Sequence, residues 1–151
     1  MITIESLAKV ILSMRKDISN KKLQKLAYYV YCWYLTIYNE KIADINFEAW
    51  EHGPVSRQLY NKYKQYGWNI IPQYKGFVLA SDEKIRFISK VVQYYGKYDA
   101  DTLEEMTHRE KPWQKARGDA QPNEASEAII DDTVIIVYYM SCKDTRKKIF
   151  G

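Results

Sequence analysis

The chain has only two histidines and two cysteines among 151 residues, and that scarcity removes several kinds of chemistry. A tetrahedral zinc site draws four ligands, mostly Cys and His, at characteristic spacing. His108 and Glu110 offer two ligands and His52 would have to be brought in by the fold. No further ligand has the expected spacing, so neither a metal nor another cofactor is expected. Cys32 and Cys142 lie in separate apolar, helix-like stretches and form no spaced pair. They read as free buried thiols in a reducing compartment. No apolar run reaches the roughly 18 residues of a membrane span. Met1-Ile2-Thr3-Ile4-Glu5 has neither the basic start nor the continuous apolar run of a secretory signal. A cytoplasmic protein with no membrane contact is the expectation. Also lacking are a Gly-x-Ser-x-Gly elbow, a phosphate-cradling glycine loop and a Cys–His arrangement. His52 with Glu51, or His108 with Glu104 and Glu110, could exchange protons, but nothing completes a catalytic site around either. The chain is expected not to be an enzyme, with His52 orienting a turn and a charged His108 favoured by the end of a helix dipole.

Aromatic side chains are abundant instead, with 14 tyrosines and 4 tryptophans. Tyr and Trp join an apolar body to a polar tip and suit both half-buried core positions and protein interfaces. The net charge of +4 is too modest to indicate nucleic acid by itself. The cations cluster, however: Lys21, Lys22 and Lys25 crowd one end of a helix, and Lys143, Arg146, Lys147 and Lys148 form a basic tail. Lysines in the first turns of a helix face the positive end of its dipole, at about 0.3–1 kcal/mol each where exposed. A partner carboxylate or a phosphate would offset that cost.

Helical periodicity dominates. Ile4, Leu7, Ala8, Ile11 and Leu12 follow the i, i+3, i+4 spacing behind the cap residue Thr3. Ser19 opens a long central helix with Leu23, Leu26, Ala27, Val30 and Tyr34 on one face. Ala43 to Trp50 alternates as a short strand does. Pro54 suits the first turn of the next helix, which Gly67 stops. Ile70-Ile71-Pro72 and Phe77-Val78-Leu79 read as two short strands or as a packed loop. Ser81 caps a helix that Gly96 ends, and Asp101 with Glu104 resembles a capping box. Lys111-Pro112-Trp113 interrupts that short helix, and residues 118–123 read as an exposed loop. Thr133 to Tyr139 is β-branched enough for a strand. The cap-like Asp131-Asp132, the apolar run to Cys142 and the basic end favour a helix. The expected fold class is mainly α, a compact domain of about five to six helices spanning residues 1–151, with a small β-hairpin or short strands.

Three ordered segments carry a resemblance. Lys22-Leu23-Gln24-Lys25-Leu26-Ala27-Tyr28-Tyr29 opens the long helix. Phe47-Glu48-Ala49-Trp50-Glu51-His52-Gly53-Pro54-Val55 follows, with Leu59, Tyr60 and Tyr63. Leu103-Glu104-Glu105-Met106-Thr107-His108-Arg109-Glu110-Lys111-Pro112-Trp113 comes last, with Gln114, Ala116 and Arg117. In this order and spacing, from Leu7 to Tyr139, the chain resembles the Panacea domain, also called the SocA-like antitoxin or phage-associated GepA-like domain. The resemblance implies a mostly helical domain that neutralises a protein toxin by direct binding, as part of bacterial or prophage toxin–antitoxin pairs. Some relatives are thought to present a partner to a protease. Many carry an N-terminal DNA-binding region, and none is expected ahead of the domain here. The resemblance supplies no catalytic residues.

Trp50, His52, Gly53, Pro54, Val55, Tyr60, Thr107, His108, Glu110, Pro112, Trp113 and Arg117 are expected to hold the fold, with His52-Gly53-Pro54 setting a rigid turn between a strand and a helix. Lys21, Lys22, Lys25, Tyr28, Tyr31, Trp33 and Trp68 are the candidate partner contacts, since Tyr, Trp and Arg dominate binding hot spots. The expected partner is a cognate protein toxin, with a nucleic acid or phosphate as the less favoured class.

Overall fold

The apolar spacing of the first forty residues folds as two consecutive helices in the computed structural model, which describes residues 1–151. Helix α1 spans Ile4–Met14, and its cap Thr3 accepts a hydrogen bond from the Ser6 N–H. Helix α2 spans Asn20–Tyr38. Ser19 caps it by accepting from Lys22 N–H, and Asn39, in left-handed conformation at φ 53°, ends it. Strands β1 (Glu48–Trp50) and β2 (Gly53–Val55) then form an antiparallel hairpin. Helix α3 (Arg57–Tyr63) continues as a single 3₁₀ turn to Tyr66. After a long loop come α4 (Asp82–Tyr95), α5 (Ala100–His108), α6 (Lys111–Arg117), α7 (Asp132–Ser141) and α8 (Lys143–Phe150).

The class is the expected one, mainly α with a small hairpin. The helix count is eight and not five or six, for two physical reasons. Pro112 does not merely interrupt; it sits in the first turn of α6, where its missing N–H costs nothing. The C-terminal run is split at Cys142, whose φ −85°, ψ 59° backbone leaves the helical region. Three smaller expectations also change. Pro54 lies in β2, and the next helix is capped by Ser56, which accepts from Leu59 N–H. Helix α5 is capped by Asp99 and not by Asp101. Regular strand geometry is confined to Glu48–Trp50, although burial alternates over 43–47 as the sequence suggests. Residues 70–79 are a packed loop, tied to the rest by an isolated bridge between Ser19 and Ile70, by hydrogen bonds from Ile71 N–H to Ile18 O and Tyr74 N–H to Leu12 O, and by the buried Ile71.

Helix α2 is the axis of the molecule. Helices α1, α4, α5 and α7 and strand β2 pack around it, and one buried cluster joins side chains from α1 through α8. The aromatic excess fills this core. The Tyr29 and Tyr95 rings stack with centres 3.8 Å apart. Trp33 donates its indole N–H to Tyr95 Oη at 2.9 Å and meets Tyr139 edge to face. Tyr28, Tyr31 and Trp33 are therefore buried. They are core residues and not the surface anchors that their type suggested.

Helix α7 shows how the ambiguous β-branched run resolves. Ile135 and Tyr139, four apart, are buried, whereas Val137 is 66% exposed; in a strand Ile135 and Val137 would share a face. Ile135→Ala is expected to lower the unfolding free energy by roughly 2–5 kcal/mol, and Val137→Ala by no more than about 0.5 kcal/mol, both measured by urea denaturation.

Candidate functional site

A hairpin of two three-residue strands is too small to hold itself together in water, so its stability has to come from its surroundings. On one side α2 supplies it. The Gln24 side-chain oxygen accepts from Ser56 N–H at 2.9 Å and its amide donates to Ser56 O, copying the pattern of a neighbouring strand. Lys25 Nζ donates to Pro54 O at 3.2 Å. On the other side stands α6. Trp113 donates its indole N–H to Trp50 O at 2.9 Å. The buried Arg117 donates to Ala49 O at 3.0 Å and also to Gln121 O and Glu124 O. That guanidinium fixes the hairpin and the following loop together and lies over the Trp113 ring, which stacks with His108 at 4.0 Å. The edge of β1 pairs with residues 128–130 through Ala49 N–H to Ala128 O and Ile130 N–H to Phe47 O. At the rim, Glu48 accepts from Arg57 and from the Trp50 indole, and Tyr60 packs on Trp50.

Gly53 has no replacement in this arrangement. Its φ of +103° is a conformation that side chains rarely adopt, and an added Cβ would stand 2.6 Å from Lys25 Cε and 3.1 Å from Thr107 Oγ1. The glycine lets the hairpin settle on a lysine that is only 1% exposed. Burial pushes that ammonium down to about 7, the Lys21 charge adding to the effect and Glu104 opposing it.

The other two lysines of the cluster also turn inward. Lys21 bridges Asp101 and Glu104 of α5 at 2.7 Å each. Lys22 donates to Gly96 O at 2.7 Å and pairs with Asp17. The carboxylates anticipated from a partner belong to the chain itself, so Lys22 and Lys25 are corrected from partner contacts to buried structural cations. Burial alone pushes the Glu104 carboxyl up, and the Lys21 ammonium brings it below its ordinary value. The exposed His52 places Nδ1 3.3 Å from Glu104 Oε1, so its partner is a carboxylate and not the backbone of its turn. Burial holds the His108 imidazole below its ordinary value, with the Glu104 carboxylate opposing that shift.

Glu110 occupies a second enclosed position. Tyr139 Oη donates to Oε1 at 2.6 Å and Tyr29 Oη to Oε2 at 3.0 Å. Burial pushes this carboxyl up to about 7, with the two phenols acting against it. No group of three His, Cys, Asp or Glu side chains lies together as a metal-binding cluster, and no helix is long and apolar enough to cross a membrane.

Residues 23–114 match the family model described as antitoxin SocA-like, Panacea domain. The chain belongs to that family. No curated protein matches it, and no solved structure does. Within this Panacea domain the structure brings Trp50, Gly53, Pro54, Val55, Thr107, His108, Trp113 and Arg117 into one cluster, with Tyr60 on its rim and Glu110 beside it. Trp68 stays apart and is 86% exposed. Sequence reasoning missed Gln24 and Ser56 as the strand-like link, and Tyr29 and Tyr139 as the partners of Glu110. All four act through contacts remote in sequence.

Gly53→Ala is expected to cost at least about 1–3 kcal/mol from backbone strain, with the Lys25 contact adding to it, read as a lowered urea midpoint. Glu110 supplies a pH test. Its folded value of about 7 lies above the ordinary 4.5, so its contribution is full below 4.5 and is lost as pH rises to 7. Wild type should therefore lose roughly 2 kcal/mol relative to Glu110→Gln over that window. Lys25, depressed from 10.5 to about 7, works in the opposite sense, its contribution full above 10.5 and lost as pH falls toward 7. Parallel denaturation series from pH 4.5 to 9 separate the two.

Proposed function

We propose that this Panacea-family protein is a protein-binding module that neutralises a cognate protein toxin by direct contact, without catalysis. The observation that carries the reading is where the signature side chains go. Lys25, Trp113 and Arg117 have their donors committed to backbone carbonyls of the chain, and Gly53 and Thr107 enclose Lys25. A shared interior of this kind builds a scaffold, and recognition is then a property of the exterior. Membership of a family described as antitoxin SocA-like supports a toxin as the partner.

Of the two basic clusters behind the nucleic-acid reading, only that of α8, with Lys143, Arg146, Lys147 and Lys148 exposed, remains, because Lys21 and Lys22 pair with acids of the chain and Lys25 is buried. A complex of ordinary stability would bury on the order of 1,600 Å².

Expression of the protein product of the adjacent reading frame, alone and together with this chain, tests the proposal. The expected result is growth arrest alone, growth restored on co-expression, and co-purification with the toxin's abundance unchanged. A shortened toxin half-life would favour the protease-adaptor reading instead. An adjacent product that is harmless alone and does not co-purify would sink the proposal.

A further inference from the structure

We propose that the segment from Lys62 to Ala80 is the face on which the toxin docks, and that the toxin presents to it an apolar recess ringed by acidic side chains. This rests on the toxin-binding reading above and adds a location and a chemistry to it.

The charge of the chain points to this segment first. From His52 to Ser81 there is no Asp or Glu, while Arg57, Lys62, Lys64 and Lys75 are all cationic. Their four charges equal the whole net charge of +4, so the rest of the chain is balanced. Arg57 is paired with Glu48 and Glu127. Lys62, Lys64 and Lys75 are exposed and have no carboxylate within ion-pair distance. The segment therefore carries three exposed cations that no carboxylate pairs and no acid of its own, whereas the exposed cations of α8 have Asp144 among them.

The same segment holds the largest apolar groups left in water. Trp68 is 86% exposed, Phe77 82% and Leu79 73%, and Ile70 is also exposed. Exposed apolar surface marks interaction sites where it is more than single scattered side chains, and these four groups lie along one stretch of chain between residues 68 and 79. Their backbone is not loose. Ile71 is buried, Ile71 N–H and Tyr74 N–H donate to Ile18 O and Leu12 O, and Gln73 donates to Ser13 O at 2.9 Å. Tyr74 donates its hydroxyl to Phe77 O at 2.7 Å and carries the Lys9 ammonium on its ring. Anchors on α1 and on the α1–α2 connection thus hold the chain between the exposed groups, which lowers the ordering cost of binding.

The observations favour an acidic protein face over the other occupants. Ile70 and Leu79 offer no flat ring for base stacking, as a single-stranded nucleic acid would use, but they fit an apolar recess. A second copy of this chain would set three unpaired lysines against three more, and like charges in contact select against such a pairing.

The test uses the full chain and the purified product of the adjacent reading frame, with binding followed by interferometry and neutralisation by growth. Trp68→Ser with Phe77→Ser is expected to weaken binding by at least about 30-fold and to abolish neutralisation, with an unchanged circular-dichroism melt. Lys62→Glu, Lys64→Glu and Lys75→Glu together should slow association about 10-fold at low salt, the difference shrinking as salt rises. Lys143→Glu with Lys147→Glu on α8 should leave the affinity within about threefold. Wild type that neutralises, together with both folded segment variants that bind as tightly as it does, overturns this inference and leaves the toxin-binding reading standing. Wild type that neither binds nor neutralises removes both. A single-stranded oligonucleotide that quenches Trp68, with toxin binding untouched by the variants, would make the segment a nucleic-acid face. A wild-type dimer in sedimentation that Trp68→Ser and Phe77→Ser dissociate would make a second copy the occupant. Either result overturns the inference.

Discussion

Fifteen of the 19 residues of α2 are buried, including Lys22, Gln24 and Lys25. A helix enclosed this fully cannot hand its polar side chains to water, and a buried polar group without a partner costs about 1–3 kcal/mol. Most such groups have therefore been met by a specific neighbour, Asn20 Oδ1 and the Tyr28 hydroxyl being the two left without one. Lys22 reaches Gly96 O after α4, Gln24 and Lys25 reach the hairpin, Tyr29 reaches Glu110 between α5 and α6, and Tyr31 reaches Asp132 at the start of α7. Trp33 reaches Tyr95 on α4. These bonds are directional, so together they fix where the surrounding elements sit as well as that they pack. Enclosure of one helix is the constraint from which the arrangement of the others follows.

This constraint also explains why the signature of the family looks reactive in sequence and is architectural in space. His, Lys, Thr, Glu and Arg side chains close together suggest chemistry. In this fold Arg117 and Trp113 bind carbonyls of β1, Lys25 binds a carbonyl of β2, and Gly53 makes room for the lysine. The hairpin is clasped between α2 and α6 and has little stability of its own. A scaffold stabilised from within leaves its exterior free for other uses.

Much of the fold was legible from local signals. Thr3, Ser19 and Ser81 cap helices where their side chains and the apolar spacing indicate. The order of the three signature segments, each weak alone, carried the family. What local signals could not show was enclosure. Lys21, Lys22 and Lys25 read as a solvated or ligand-binding face because lysine is seldom buried; only the fold brings Asp101, Gly96 O and Pro54 O to them. Tyr28, Tyr31 and Trp33 read as surface anchors for the same reason, since half of an amphipathic helix normally faces water. Pro54 suited a helix start equally well. The positive φ of Gly53, three residues beyond the end of β1 and invisible in sequence, put it in a strand.

In the proposed function the signature cluster acts by holding the hairpin and not by touching a partner or a substrate. Neutralisation and unfolding midpoint, measured together for Arg117→Lys, Trp113→Phe, Thr107→Val and His52→Ala over a range of growth temperatures, test it most directly. Neutralisation should follow stability, failing only where the variant unfolds and returning at lower temperature. A variant of this cluster with an unchanged midpoint that fails to neutralise at every temperature would contradict it.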